Sequence, residues 1–513
     1  MSRSDLPKVR LVASAEPGTD IWVIDGKLRT VAHDARRLEA DLAPGLYKVK
    51  FQAGSAISEQ MVELVSSGAP VEVSAPQLQF MSTAPLNRTE LIHEYHRDNA
   101  AQTSRQVHVH AGGGSRLFVF SRTFRDRGRA RRSSPPAGQH PAEGLSLLDL
   151  QGSIVASLAE AGVGDLGVPD PWSACSVELN PGPYRLRLDV PGVVSLEQLV
   201  VASPGWQTQV FLLLDDYGEP SSPTFRADLE TASILMAREH DGFNPDDEML
   251  RLTELAQSAL ARERVKVAKD LLDQLLDWKF ENPMLGLYAG HAILAGPEPD
   301  HALLSRVVER LRGIIGTHPD LDAMALSLGQ PMTQTYDAPP MFRRSWNIVV
   351  DRARRDRALV PAGSMASGIA GNVWGEGVWL IWDAEGAQRT AAEPVASDAD
   401  VARIGDLGAQ RVSSEGVLET HEPLDDVDLA ILSYTTRRSR ARRAATASAG
   451  GVMLATPQDE IAEALNLPPS TVEQKVSGLV RKLETPELAA AAPEENMEAH
   501  AAPPQVRRYE VSL

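Results

Sequence analysis

A chain of 513 residues is too long for one hydrophobic core, and its length fits about three or four domains. Its 43% hydrophobic and 23% charged residues are those of a folded globular protein, and no run approaches the ~18 uninterrupted apolar residues of a membrane span. With 51 basic against 69 acidic side chains the formal charge is -18, which disfavours broad adsorption to nucleic acid or anionic membranes, and the single cysteine, Cys175, excludes an internal disulfide.

Met1 to Arg10 is polar and lacks the apolar run of a signal peptide, so a cytoplasmic location without a membrane partner is expected. Two segments then repeat each other. Leu42-Ala43-Pro44-Gly45-Leu46-Tyr47-Lys48-Val49-Lys50-Phe51 aligns with Leu179-Asn180-Pro181-Gly182-Pro183-Tyr184-Arg185-Leu186-Arg187-Leu188. Glu59-Gln60-Met61-Val62 follows as Glu197-Gln198-Leu199-Val200, and Gly68/Gly205 and Val73/Val210 extend the match. Upstream, Arg10-Leu11-Val12 parallels Arg116-Leu117-Phe118, and Val23-Ile24-Asp25-Gly26 loosely parallels Leu148-Asp149-Leu150-Gln151-Gly152.

Each Pro-Gly sets a tight turn, and the next residues alternate, Tyr47, Val49 and Phe51 on one side and Lys48 and Lys50 on the other. Period-two alternation marks a strand with one buried and one wet face. The expectation is two antiparallel β-sandwich domains, at residues 1–85 and 115–218, with a linker at 86–114. The "L-x-P-G-x-Y-x-[VL]" strand resembles the PEGA and carboxypeptidase-regulatory-like families of bacterial β-sandwiches. That resemblance implies interaction or spacer modules without catalysis. The second copy carries an insertion at 124–142, whose Arg125, Arg127, Arg129, Arg131 and Arg132 precede Ser133-Ser134-Pro135-Pro136; so many charges and prolines predict an exposed, protease-sensitive loop.

Beyond Pro223 the apolar period changes to about 3.6. Asn244-Pro245-Asp246-Asp247-Glu248 reads as a helix start, and Leu252, Leu255, Ala256 and Leu260 begin an apolar stripe that Val267, Leu271, Leu272, Leu275 and Leu276 continue. Leu303, Leu304, Val307, Val308, Leu311 and Ile314 form another stripe, and Asn282-Pro283 and His318-Pro319-Asp320 interrupt the helices. A helical domain at 224–330 follows, with a spacing that resembles tetratricopeptide-type repeats.

Residues 339–435 are expected to form a small α+β module: a helix from Phe342 to Arg355, a core seeded by Trp374, Trp379 and Trp382, and a final strand at Asp428 to Tyr434. The stretch "PPMFRRSWNIVV" through "GEGVWLIW" resembles uncharacterised proteins encoded beside bacterial caspase-like peptidases, which implies a protease-linked stress or defence pathway. Arg437, Arg438, Arg440, Arg442 and Arg443 open a basic linker at 436–455, expected to be disordered.

Thr456-Pro457-Gln458-Asp459-Glu460 starts a helix with Ile461, Ala462, Leu465 and Leu467 on its apolar face. Asn466 suits a left-handed turn, and Ser470 with Glu473 reads as a capping box for a second helix carrying Val472, Val476, Leu479, Val480 and Leu483. The run "EIAEALNLPPSTVEQKVSGLVRKL" resembles the helix-turn-helix of quorum-regulator proteins and of region four in sigma factors. That likeness implies that Ser470, Thr471, Gln474, Lys475 and Ser477 face the DNA major groove, with Arg481 and Lys482 near phosphates and the Arg437–Arg443 tract as an accessory arm. The pair occupies 456–486, and the tail at 487–513 is expected to be disordered.

Sequence signals for catalysis are weak. Gly162-Val163-Gly164-Asp165-Leu166-Gly167 spells GxGxxG, but the prolines that follow preclude a helix to receive a pyrophosphate. His93, His96, His108 and His110 lie close in sequence without metal-ligand spacing, and Cys175 has no partner signature, so no cofactor, metal or catalytic residue is expected. The class reading is a multidomain α+β protein comprising two sandwiches, a helical bundle, the α+β module and a helix-turn-helix-like pair. Its expected role is a non-enzymatic adaptor or regulatory scaffold for a protein partner, with a peptidase or a transcription component as the partner class. The alternatives are a transcription regulator that binds DNA, or a protease substrate cut in its Arg-rich loops.

Overall fold

A computed structural model describes residues 8–65, 69–90, 92–124, 138–217, 224–262, 270–271, 282–296, 298–330, 335–336, 338–413, 416–420, 422–446, 458–484 and 507–511. The fold is mixed α+β, with 13 helices and several sheets among these residues. No described helix is long and apolar enough to cross a membrane. Two compact units divide the chain. The first comprises Met1–Gln330, Pro340–Ser345 and Gly375–Ile381, and the second Pro331–Pro339, Trp346–Trp374 and Trp382–Leu513.

The first unit opens with β1 (Val9–Ser14), β2 (Thr19–Asp25), β3 (Thr30–Ala35), β4 (Arg37–Leu42), β5 (Gly45–Ala53), β6 (Ala56–Leu64) and β7 (Val71–Ser74). They form a three-stranded sheet in the order β4-β1-β7 and a four-stranded sheet in the order β3-β2-β5-β6. One core serves both sheets, built from Leu11 and Ala13, Ile21 and Val23, Val49 and Phe51, and Val73. The alternation along β5 has the expected sense, with Tyr47, Val49 and Phe51 inward and Lys48 and Lys50 half-buried on the other face.

After β8 (Phe80–Met81), β9 (Thr89–Glu90), α1 (Glu94–Thr103) and β10 (Val109–His110), the same pattern returns as β11 (Ser115–Arg122), β12 (Leu145–Leu148), β13 (Ile154–Ser157), α2 (Leu158–Ala161), β14 (Val163–Asp165), β15 (Trp172–Leu179), β16 (Gly182–Val190), β17 (Val194–Ala202) and β18 (Trp206–Asp216). The repeat holds register by register. Val9 faces Leu42 as Ser115 faces Leu179, and Ala13 faces Val73 as Val119 faces Val210. Tyr47 faces Val62 as Tyr184 faces Val200, and each tyrosine hydroxyl donates to the carbonyl four residues back, Ala43 at 2.8 Å and Asn180 at 3.0 Å. Lys48 pairs with Glu59 at 3.0 Å, and its counterpart Arg185 with Glu197 at 3.2 Å.

Two details differ from the sequence alignment. The β2–β3 hairpin superimposes Asp25, not Gly26, near the head of the turn: the Leu28 amide donates to the Asp25 carbonyl as the Gly152 amide does to Asp149, and the Arg29 and Ser153 amides both donate to the aspartate side chain. The copies also share a parallel pairing, β1 with β7 and β11 with β18, and β10 adds another against β15, where all-antiparallel sheets were expected. The intervening strands give the chain room to return in the parallel sense, which a tight hairpin cannot do. Gly68 lies outside the described residues.

The segment read as a linker is structural. His96 and Ala100 of α1 are buried, and Ala100 joins Phe118, Phe120, Trp172, Phe211, Leu235 and Phe243 in a second core, where Phe120 stacks on Trp172 at 5.6 Å. Two more strands, β19 (Phe225–Ala227) and β20 (Ser233–Arg238), pair with β18 beyond the expected sandwich boundary.

Helices α3 (Glu248–Ala261), α4 (Pro283–Leu294), α5 (His301–Ile315) and α6 (Pro319–Ser327) complete this unit. Asp247 caps α3 through the Met249 amide, whereas Asn244 binds the Asp246 amide in a turn before it. Asn282, Asp300 and His318 cap the other three, with proline in the first turn of α4 and α6. α4 is buried almost all round. A Cβ on its Gly286 would meet Leu311 at 2.7 Å and one on Gly290 would meet Met324 at 2.6 Å, so those glycines admit α5 and α6 at close range. Val267, Leu272, Leu275 and Leu276 lie outside the described residues.

α7 (Arg343–Ala353) leads into the elements of the second unit: α8 (Met365–Ala370), β21 (Val373–Trp374), β22 (Ile381–Asp383), α9 (Ala384–Ala392), α10 (Asp398–Arg411), β23 (Val417–Thr420), α11 (Asp426–Thr446), α12 (Gln458–Leu465), α13 (Pro469–Glu484) and β24 (Arg507–Glu510). α13 is the central helix, packed against α8, α9, α10, α11 and α12. Two expectations fail here, and a third fails over the few tail residues the structure describes; residues 447–455 and most of 487–513 lie outside them. Asp428 to Tyr434 lies within the 21-residue helix α11 rather than in a strand, because a short apolar run fits a buried helix as well as a strand. The basic tract from Arg437 continues that helix instead of forming a linker. Within the tail, Arg507–Glu510 pairs with β23, Tyr509 opposite Leu418.

Candidate interaction surface

The outward face of the β3-β2-β5-β6 sheet combines apolar and charged side chains. His33 stacks on Trp22 at 4.8 Å, and the Lys50 ammonium sits over the same indole at 4.9 Å. His33 also bonds Asp20 at 2.9 Å. The cross-strand register sets Trp22, Lys50 and Glu59 in one row, Ile24, Lys48 and Met61 in the next, and Leu46 beside Glu63 at the end. Apolar surface stands open in these rows: Met61 is 61% exposed, Leu46 55% and Ile57 54%, and Leu28 at the hairpin tip is 82% exposed. Such side chains gain nothing from folding where they stand.

β6 is also the end strand of its sheet. Among the described residues, no backbone group from Ala56 to Leu64 has a backbone partner outside the β5–β6 ladder. A row of unpaired N–H and C=O groups beside exposed apolar side chains is an interaction edge.

The second repeat treats the same positions differently. Glu197, Leu199 and Val201, the counterparts of Glu59, Met61 and Glu63, are all buried, Glu197 at 2% and Leu199 at 1% exposure. Glu59, Met61 and Glu63 are thus exposed where their counterparts in the second repeat are buried.

The residues read as DNA-facing are internal to the second unit. The Ser470 hydroxyl donates to the Val360 carbonyl at 2.8 Å and that of Thr471 to Ser367 at 2.7 Å. Gln474 donates to Ala391 at 3.1 Å, and Lys475 is bonded to Asp425, with Asp428 3.9 Å away. Lys482 reaches Asp428 at 2.5 Å, and Arg481 reaches Glu393 at 2.8 Å. Ser477 is half-buried. Ser470 does not cap α13, and Glu473 bonds Arg357 at 2.6 Å, so no capping box forms. The turn itself has the expected conformation, Asn466 at φ 55°. Arg437 and Arg438 are exposed on α11, Arg438 bonded to Glu460, and Arg440 donates to the Val412 carbonyl at 3.0 Å; the side chains of Arg442 and Arg443 lie outside the described residues, as do Arg125, Arg127, Arg129, Arg131 and Arg132.

Several titratable groups of the first unit are hydrogen-bonded within the fold. Arg122 is fully buried and donates to the Thr83 carbonyl at 3.0 Å; burial lowers it to about 10 against the opposing pull of Asp170. His93 bonds Asp170 at 2.7 Å, and His96 donates to the Asp170 carbonyl at 2.8 Å. His108 instead accepts the Ser176 amide, and His110 bonds Glu178 at 2.6 Å, so the four histidines share no common partner. Among the described residues no group of three His, Cys, Asp or Glu could hold a metal ion. Burial pushes the Cys175 thiol up to about 11, away from its reactive form. The GxGxxG segment contains strand β14, where a Cβ on Gly164 would meet the Trp172 carbonyl oxygen at 2.5 Å.

The sequence reading missed Leu28, Leu46, Ile57 and Met61. Its available signal was the spacing of Ile57, Glu59, Met61 and Glu63, which puts two large apolar residues on a face already assigned to charge. No family model, no curated protein and no solved structure matches the chain.

Proposed function

We propose that this protein is a non-enzymatic adaptor or regulatory scaffold whose two repeats are β-sandwiches of the PEGA-like kind, and that the outer face and free edge of the first repeat hold a partner protein. One observation carries the reading: Met61 stands open, with Ile57 exposed beside it, where its counterpart Leu199 in the second repeat is buried. Sandwich modules use such faces for binding, and exposed apolar patches beside an open edge mark interaction sites. In-cell photo-crosslinking with benzoylphenylalanine at position 57 or 61 should give discrete protein adducts, while the same group at Ile154 of the second repeat should not. Absence of adducts at both first-repeat positions overturns the proposal.

The DNA-regulator alternative has less support, since the side chains that would read bases are engaged inside the second unit. It would rest on Arg437 and Arg438, and a salt-dependent gel shift by the whole protein tests it. The protease-substrate alternative meets a helix at Arg437 and Arg438, which a protease must first unwind.

A further inference from the structure

We propose that the edge of β6 accepts an extended strand from a partner protein, one that alternates apolar and basic side chains at every second residue along its outer face. The inference rests on the adaptor reading and specifies its partner.

The open edge favours a strand over another shape. The outward backbone groups of Ala56–Leu64 lack backbone partners among the described residues, and these are the groups that an added strand satisfies.

Side chains on the edge specify the occupant. Ile57, Glu59, Met61 and Glu63 are exposed in succession on the outer face of β6. A strand laid alongside places its own outward residues directly opposite them, at cross-strand distances where apolar pairs attract and like charges repel. The complementary order is apolar, basic, apolar, basic at every second residue. A second copy of this chain fits poorly. Two-fold pairing of β6 with itself, centred anywhere from Glu59 to Val62, leaves Glu59 opposite or diagonal to a carboxylate of the other copy.

The test uses the full-length protein with three heptapeptides: Val-Ser-Lys-Thr-Val-Ser-Lys, its Glu-for-Lys analogue, and the Lys peptide with proline replacing its central threonine. The Lys peptide should bind, protect the amides of Ala56–Leu64 in hydrogen exchange, and lose at least tenfold in affinity to the Glu59→Lys/Glu63→Lys variant. The other two peptides should bind at least tenfold more weakly than the Lys peptide. Equal binding of all three, or protection elsewhere, overturns the proposal. So does protection of β6 that grows with protein concentration alone, which would make the occupant a second copy. If photo-crosslinks form at 57 and 61 while no peptide protects β6, the adaptor reading stands and the strand proposal fails.

Discussion

Leu28 occupies in the first repeat the backbone position that Gly152 occupies in the second, and both are left-handed, at φ 61° and 92°. Glycine adopts that conformation freely, while a leucine pays roughly 1–2 kcal/mol for it. The leucine recovers nothing by burial, since its side chain is 82% exposed. A local strain that no packing offsets points to a use outside the fold, and Leu28 lies at the hairpin tip of the open sheet. Leu28→Gly should therefore raise the melting temperature slightly, the relief of strain exceeding the added chain entropy by about 0.5–1 kcal/mol. Gly152→Leu should lower it by about 1–2 kcal/mol of stability. Calorimetry on the two variants decides; a loss of stability in both would mean that Leu28 packs after all.

Asp320 ties α6 to the start of α7. Its two carboxylate oxygens accept the Met341 and Phe342 amides, each at 3.0 Å, in a fully buried setting. Removing the acceptor leaves two buried donors without partners, at a cost of about 1–3 kcal/mol each. Asp320→Ala should lower the thermal midpoint by several degrees, and Asp320→Asn, which keeps one acceptor oxygen, by less. Indistinguishable melting of both variants from the parent would show that water or relaxation replaces the carboxylate.

Acid should weaken the first unit. Burial holds the imidazoles of His96, His291 and His318 neutral, each pulled down to about 3. In the unfolded chain they titrate near ~6.5, so as the pH falls below that value the unfolded state takes up protons that the folded state refuses. Each histidine thus removes stability progressively from about pH 6.5 down to about 3. Asp320 works the other way: burial raises its carboxyl to about 6, so the stability it contributes is full below its unfolded value and lost as the pH rises through about 6. His108 and His140 are lowered by burial in the same sense, and burial raises Asp228 and Glu254 as it does Asp320, so five histidines stand against three carboxyls and the urea midpoint should fall from pH 7 to pH 4.5. His318→Asn, which can still cap α6, should flatten that slope; an unchanged midpoint over the whole range would refute the account.

The sequence revealed those features in which local chemistry and long-range structure agree. Pro44-Gly45 and Pro181-Gly182 with their alternating strands located the repeat, and Asn466 marked its turn, because turn residues and period-two patterns act within a few positions. Burial of the α13 polar face was illegible. Ser470, Thr471, Gln474 and Lys475 look wet by composition, yet they bond to carbonyls at Val360, Ser367 and Ala391 and to a carboxylate at Asp425, more than 45 residues away in sequence. Leu28 was hidden by the alignment, which matched Gly152 to Gly26. Only the shared hydrogen bonds to Asp25 and Asp149 place Gly152 on Leu28.

Lys475 separates two accounts of α13. A lysine aimed at a DNA groove can be replaced with little effect on folding, but its loss weakens binding and reduces the salt dependence of that binding by about one ion. Here the side chain is 6% exposed, bonded to Asp425 and 3.9 Å from Asp428, which is itself buried and also holds Lys482. Deleting one member of a buried ion-pair cluster costs about 3–5 kcal/mol when the remaining charge has no other partner. Lys482 keeps Asp428 paired and Asp425 is partly exposed, so Lys475→Ala should cost less, about 1–3 kcal/mol. Lys475→Met, of similar length and without the charge, should recover part of the packing but not the pairing. A lower melting temperature in both variants, with the methionine variant between alanine and parent, supports α13 as the central strut of its unit. Unchanged melting combined with a lost gel shift would return Lys475 to a nucleic-acid surface.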